Sequence, residues 1–341
     1  MTKQVGKRNL FTKFFWIGLG GGIFFGWLSA QLAWVYGQLR RLNVQETIAV
    51  HKNLARKGLI ADQTYETPEY TVSSSVEDGI ERIVYYPKNR RHQTPILMQH
   101  GMWHGAWCWK LWQEILAREG WETHAFSLPG HGGSPVQRPV PLCTLDYYLG
   151  FLKAEVERFP EKPVLLGHSM GGALLQWYLK YVGDNLPAVI LVAPWVSHNA
   201  FRESFHFFVQ HDPVGVLSVA LTWSTSGFVR NPRLIQKLLL TEGAVVTPED
   251  IYNRIGPESA LVVFQHNPPF WQPPEDIHTP MLWIAPMQDA LISEKSQRKS
   301  AAYYKADYVR IKNTGHDLMV EKKYAEIAEV IQKWLLVQDI L

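Results

Sequence analysis

Residues 163–183 read Pro-Val-Leu-Leu-Gly-His-Ser-Met-Gly-Gly followed by Ala-Leu-Leu-Gln-Trp-Tyr-Leu-Lys-Tyr-Val-Gly, and no other stretch limits the fold so tightly. Val164 to Leu166 is a short apolar run of the kind that forms a buried strand, and the residues after Gly172 carry an amphipathic helical pattern. Between them lies Gly167-His168-Ser169-Met170-Gly171. A strand-to-helix turn this sharp presents its central side chain only when the neighbours lack bulk. Gly167 and Gly171 meet that condition, and Ser169 is lifted above the N-terminus of the helix.

A serine hydroxyl is a poor nucleophile until a base takes its proton, and the oxyanion that follows needs hydrogen-bond donors. Upstream, Pro95 to Gln99 is a second strand pattern that ends in His100-Gly101-Met102-Trp103-His104-Gly105-Ala106-Trp107. An open backbone after Gly101 lets the Met102 N–H face the same point as the Met170 N–H. Downstream, Met281 to Ala285 is a strand pattern with Asp289 four residues beyond it. Tyr308 to Ile311 is the last strand pattern, followed by Asn313-Thr314-Gly315-His316-Asp317. Ser169, Asp289 and His316 therefore each follow the C-terminal end of a strand, where open parallel sheets gather their ligands. His316 is the expected general base and Asp289 the acid that orients it. Asp317 is the second candidate acid, disfavoured because adjacent side chains diverge.

On these residues the chain resembles an α/β-hydrolase over roughly residues 68 to 340. His100 to Trp109 (H-G-M-W-H-G-A-W-C-W) is similar to the start of the plant methylesterase and hydroxynitrile-lyase branch and of many bacterial hydrolases. Leu128 to Ser134 (L-P-G-H-G-G-S) resembles the family's P-G-H-G-x-S loop. The resemblance implies a serine esterase or lipase-like hydrolase with Ser169 as nucleophile, His316 as base, Asp289 as acid, and Met102 and Met170 lining the oxyanion hole. Asp317 departs from the pattern: the lyases usually carry Lys directly after the catalytic His, which weighs against that activity. The alternatives are a lyase or cofactor-free haloperoxidase on the same triad, or a non-catalytic binding protein on a hydrolase scaffold. Dehalogenases and epoxide hydrolases are disfavoured because they place Asp at the elbow.

No cofactor or metal is expected. The chain has no phosphate-binding glycine loop, and His206 and His211 with Glu203 and Asp212 match no strong zinc spacing. His100 and His131 read as loop histidines that pin backbone, and His168 as a side chain turned into the sheet edge. His104 is left open between a structural and a pocket role. A net charge of +3 gives no argument for nucleic acid, and two cysteines, Cys108 and Cys143, say little about redox compartment.

The N-terminus differs in kind. Residues 1–13 form a basic tail, and Phe14 to Tyr36 carries no charged side chain; as a helix it spans about 34 Å, enough to cross a bilayer. The expectation is a single-pass transmembrane helix at 14–36 and a membrane localisation, with secretion after cleavage near Leu28-Ser29-Ala30 as the alternative. Gly18, Gly22, Gly26 and Ala30 repeat every four residues, which suggests a homodimer through the helix. Residues 37–67 read as a juxtamembrane helix and a polar linker.

From residue 68 strand and helix patterns alternate, which predicts a mainly parallel sheet with helices on both faces. The core is expected over 68–195 and 276–341. Residues 196–275, rich in Phe and Trp and broken by Pro213, Pro232, Pro248 and Pro257, are expected to insert as a helical cap. The combined expectation is a membrane-anchored serine hydrolase acting on a small-molecule, hydrophobic or lipid-like ester.

Overall fold

The computed structural model describes residue 22 and residues 26–53, 62–199 and 207–340. The chain falls into two compact units, Met1–Asn43 and Val44–Leu341.

The first unit overturns an expectation. Among the described residues, no helix is long and apolar enough to cross a membrane. The basic tail 1–13, and residues 14–21 and 23–25 of the expected span, lie outside the described residues. Residue 22 and residues 26–41 are helical there, and the helix closes on Arg40 and Arg41. The transmembrane helix, the single-pass membrane localisation, the membrane as partner and the homodimer through that helix fall together. The cleavage motif Leu28-Ser29-Ala30 lies within the same helix.

The second unit is built on nine strands: β1 (Gln63–Glu66), β2 (Tyr70–Glu77), β3 (Ile80–Pro87), β4 (Ile96–Gln99), β5 (Thr123–Phe126), β6 (Val164–His168), β7 (Val189–Val192), β8 (Met281–Pro286) and β9 (Asp307–Ile311). They form one mixed sheet in the order β1-β2-β3-β5-β4-β6-β7-β8-β9. The pairings from β1 to β3 and on to β5 are antiparallel, and all those from β5 through β4 to β9 are parallel. Every residue of β4, β6, β7 and β8 is buried, which is why these strands read as continuous apolar runs. The region expected as linker at 62–67 holds β1 instead. That strand is exposed throughout and leaves no apolar face in the sequence.

Five helices flank the sheet: Lys110–Arg118, Leu145–Val156, Met170–Tyr181, Glu294–Tyr303 and Tyr324–Val337. Between β7 and β8 the described chain holds a helical stretch at 207–211 and the helices Pro213–Thr222, Pro232–Leu239, Pro248–Tyr252 and Ala260–Gln265. Three of the prolines that read as breaks are helix starts. Pro213, Pro232 and Pro248 follow Asp212, Asn231 and Thr247, whose side chains accept from the N–H groups of Gly215, Leu234 and Asp250. Proline fits that first position because its missing N–H has no intrahelical partner there.

Arg82 on β3 and Glu155 on the helix Leu145–Val156 form a bidentate pair at 2.7 and 2.5 Å, with both side chains buried. Removing one partner leaves the other buried charge with only a distant second partner, Arg158 at 4.0 Å for Glu155 and Glu77 at 3.8 Å for Arg82. Breaking a buried pair typically costs about 3–5 kcal/mol, whereas an apolar pair of similar volume is often neutral. Arg82→Met is expected to lower the urea unfolding free energy by about 3 kcal/mol or more, and Arg82→Met with Glu155→Leu to recover most of it. Equal losses in the single and double variants contradict this account of the pair.

Candidate active site

β6 ends at His168 and the next helix begins at Met170, so Ser169 alone makes the turn, with φ 52° and ψ −116°. An L residue keeps a left-handed φ only when its surroundings hold it. The Ser169 N–H donates to Val192 O at 3.0 Å, and Ser169 O accepts from the Ala173 N–H at 3.1 Å. A Cβ at Gly171 would stand 2.3 Å from Gln99 O and 2.7 Å from His100 O. The helix can therefore seat against the end of β4 only with hydrogen at that position. Gly167 is under the same restriction, since a Cβ there would stand 2.7 Å from the Gly171 carbonyl carbon.

His316 Nε2 lies 2.9 Å from Ser169 Oγ, and His316 Nδ1 lies 2.8 Å from Asp289 Oδ2. All three side chains are buried. Asp289 is fixed from its other side, where Oδ1 accepts from the N–H groups of Leu291 at 2.8 Å and Ile292 at 3.1 Å. This local turn is one that Asp makes readily after a strand. An ionised carboxylate only accepts, so Nδ1 carries the proton and the Nε2 lone pair faces the Ser169 hydroxyl. Burial pulls the His316 pKa down, but the Asp289 carboxylate outweighs it, and the net value lies above that of a free imidazole.

Met170 is the first residue of its helix, where N–H groups lack intrahelical acceptors. Met102 follows Gly101, and a Cβ on Gly101 would stand 3.0 Å from Ser169 Cβ, so the chain leaving β4 packs directly on the elbow. Around these residues three imidazoles hold main-chain carbonyls. His100 Nδ1–H donates to Gly101 O at 2.8 Å while its Nε2 accepts the Leu128 N–H at 3.0 Å. Burial pushes the His100 pKa well below the usual value, so the ring stays neutral. His168 Nε2–H donates to the His316 carbonyl at 3.1 Å, and burial, followed by the His316 charge, lowers its pKa to about 3. His104 Nδ1–H donates to Met102 O at 2.7 Å.

His168 thus does not turn into the sheet edge. Its Nε2–H goes to the carbonyl of His316, the acceptor that a buried N–H needs. Asp317 pairs with His104, Oδ2 to Nε2 at 3.0 Å. Sequence reasoning missed that pair; its signal is a carboxylate set against the apolar run Leu318-Met319-Val320, which a buried chain accepts only with a partner. It also missed Glu258, which accepts from the Tyr148 hydroxyl at 3.1 Å and lies 3.1 Å from His131 Nε2. Glu321 was missed as well: its Oε1 accepts from the N–H groups of Gly315 at 3.0 Å and Thr241 at 2.6 Å.

His168, His316 and Asp317 bring ligand-type atoms within 4.8 Å of one another. Both His316 nitrogens and His168 Nε2 are already engaged in the hydrogen bonds above, which leaves His168 Nδ1 and Asp317 Oδ1 as the unpartnered atoms of the cluster. Of the looser group around His211, His206 and Glu203 lie outside the described residues, and Asp212 is held by Arg230 at 2.6 and 2.7 Å. Cys108 and Cys143 are buried and unbridged.

A family model described as the alpha/beta hydrolase family matches residues 96–330, and the chain belongs to that family. Norfluorocurarine synthase 2 from Strychnos sp is 26% identical over 151 residues, 43% of this chain and 56% of its own. Methylesterase 2 from Arabidopsis thaliana is 28% identical over 120 residues, 35% of this chain and 45% of its own. The chain therefore spans about half the length of the curated relatives it matches. The crystal structure of a monoacylglycerol lipase from Paleococcus ferrophilus superimposes with a TM-score of 0.59 at 20% identity, covering 76% of this chain and 99% of that one. At that identity the likeness is one of fold.

Only a neutral His316 can take a proton from the Ser169 hydroxyl. The rate constant kcat/KM for ester turnover is expected to rise with pH through a midpoint above 6.5, the ordinary histidine value, and Asp289→Asn to move that midpoint down. A wild-type midpoint at or below 6.5 contradicts the assignment of Asp289 as the group that holds the proton on the ring.

Proposed function

We propose that the chain hydrolyses carboxylic esters of small molecules by a double displacement on Ser169. One observation carries the reading: Asp289, His316 and Ser169 form a continuous hydrogen-bonded line at 2.8 and 2.9 Å beyond the C-terminal ends of β8, β9 and β6. Ser169 Oγ attacks the ester carbonyl carbon as His316 Nε2 takes its proton. The N–H groups of Met102 and Met170 hold the oxyanion, and the bond to the alcohol breaks as His316 returns the proton to the leaving oxygen. Water, deprotonated by His316, then attacks the acyl-serine, and the acid departs with the hydroxyl restored. Asp289 stays ionised and stabilises the transient imidazolium.

Residues 196–275 form the cap in this reading, between the core segments 68–195 and 276–341. Their support is attachment to the loops of the site: the Gly256 N–H donates to Trp103 O at 2.8 Å, and Trp103 Nε1–H donates to Thr225 Oγ1 at 3.0 Å. The Asp317 N–H donates to Leu239 O at 3.0 Å. Of the two grounds for a hydrophobic or lipid-like ester, the membrane helix goes and the aromatic side chains of 196–275 remain; ester chemistry leans on the site itself. The names of the relatives, a methylesterase and a monoacylglycerol lipase among them, accord with an ester substrate.

Purified protein is expected to turn over p-nitrophenyl acetate or butyrate. Ser169→Ala and His316→Ala should each lower kcat by roughly 10⁴- to 10⁶-fold, the range seen when one member of such a triad is removed. Ester turnover that survives Ser169→Ala in folded protein contradicts the proposal.

A further inference from the structure

We propose that His104, held in place by Asp317, is a positioning residue for the oxyanion loop, and that the pair works as a crossbar between that loop and the loop carrying the base. The inference rests on the reading of Ser169 as nucleophile and the Met102 N–H as an oxyanion donor.

Met102 sits between two peptide planes, and each is gripped at its carbonyl. The first joins Gly101 to Met102. Its oxygen is held by His100 Nδ1–H at 2.8 Å, and because a trans peptide points its N–H opposite its C=O, that grip aims the Met102 N–H. The second joins Met102 to Trp103, and its oxygen is held by His104 Nδ1–H at 2.7 Å. With both planes fixed, the Met102 N–H cannot swing without breaking one of these bonds. The chain needs such a hold, because Trp103 follows in a left-handed conformation, φ 65°, that a bulky residue adopts only under constraint.

His104 is itself immobilised. Nε2 lies 3.0 Å from Asp317 Oδ2, both side chains are almost fully buried, and the ring stacks on Trp107 with centroids 5.2 Å apart. A carbonyl can only accept, so Nδ1 carries a proton, and the second proton of the pair lies between Nε2 and the carboxylate. Burial alone would lower the His104 pKa and raise that of Asp317, but each partner's charge outweighs it. His104 ends above the ordinary value and Asp317 below, the direction that favours an imidazolium beside a carboxylate.

Asp317 is also the residue after His316, and its own N–H is tied to Leu239 O at 3.0 Å. One buried ion pair therefore links the segment that carries the base to the segment that carries an oxyanion donor. Fixing that spacing matters because donors act on the transition state only when already aimed at the oxygen that will become charged.

The test compares wild type with His104→Ala, His104→Asn and His104→Gln, using p-nitrophenyl butyrate turnover and inhibition by a trifluoromethyl ketone, which forms a tetrahedral adduct on the serine. The side-chain amide of Asn reaches where Nδ1 stands, and that of Gln reaches where Nε2 stands. His104→Ala is expected to lower kcat about 100-fold and weaken the ketone by a similar factor, with KM changed by less than about threefold. His104→Asn should recover at least about tenfold of that loss and His104→Gln should not. If His104→Ala fails to fold, as judged by circular dichroism, the contrast between Asn and Gln decides alone. Wild-type kcat in folded His104→Ala, or equal rates for Asn and Gln, overturns this inference and leaves the ester reading standing. A wild type that neither turns over the ester nor binds the ketone overturns the reading beneath it.

Discussion

The left-handed turn at Ser169 depends on a space into which no side chain fits. With the Gly171 Cα facing the carbonyls of Gln99 and His100, the helix Met170–Tyr181 closes onto the end of β4, and Ser169 is forced up at the junction. The same closure puts the first N–H of that helix beside the hydroxyl and brings Gly101, and with it Met102, onto the elbow. A methyl group at 171 would part these elements. Ser169, Met102 and the end of β4 would then no longer share a fixed frame.

Above that frame, histidines behave in two ways, and whether a carboxylate lies at hydrogen-bond distance decides which. His100 and His168 are buried without an ion-pair partner at hydrogen-bond distance, so desolvation wins and each remains a neutral ring that donates one N–H to a carbonyl. His316 and His104 are equally buried, but Asp289 and Asp317 lie within 3.0 Å and reverse the outcome. One pair faces the serine hydroxyl. The other faces only backbone. The first has an open lone pair for proton transfer, and the second has both nitrogens committed, which separates a group able to do chemistry from one able only to hold.

Much of this was legible in the chain because local rules and the fold agree. β4, β6, β7 and β8 are buried on both faces, so apolar runs alone located them, and the glycines at 167 and 171 marked the elbow between them. β1 was illegible, being an exposed edge strand held by backbone pairing to β2. The prolines at 213, 232 and 248 signalled an interruption whose direction, helix start rather than helix end, lay in the capping side chain just before each. The uncharged run at 14–36 misled: among the described residues no helix is long and apolar enough to cross a membrane, and the one described there continues to Arg40 and Arg41. Asp317 and His104 are 213 positions apart, and no local pattern announces a contact of that kind.

The most direct test is a crystal structure of the protein after reaction with a fluorophosphonate, whose tetrahedral phosphorus mimics the first intermediate. The account predicts phosphorus bonded to Ser169 Oγ, a phosphoryl oxygen within hydrogen-bond reach of the Met102 and Met170 N–H groups, and the Asp289–His316 contact intact. A label on another residue, or a phosphoryl oxygen turned away from both N–H groups, would contradict it.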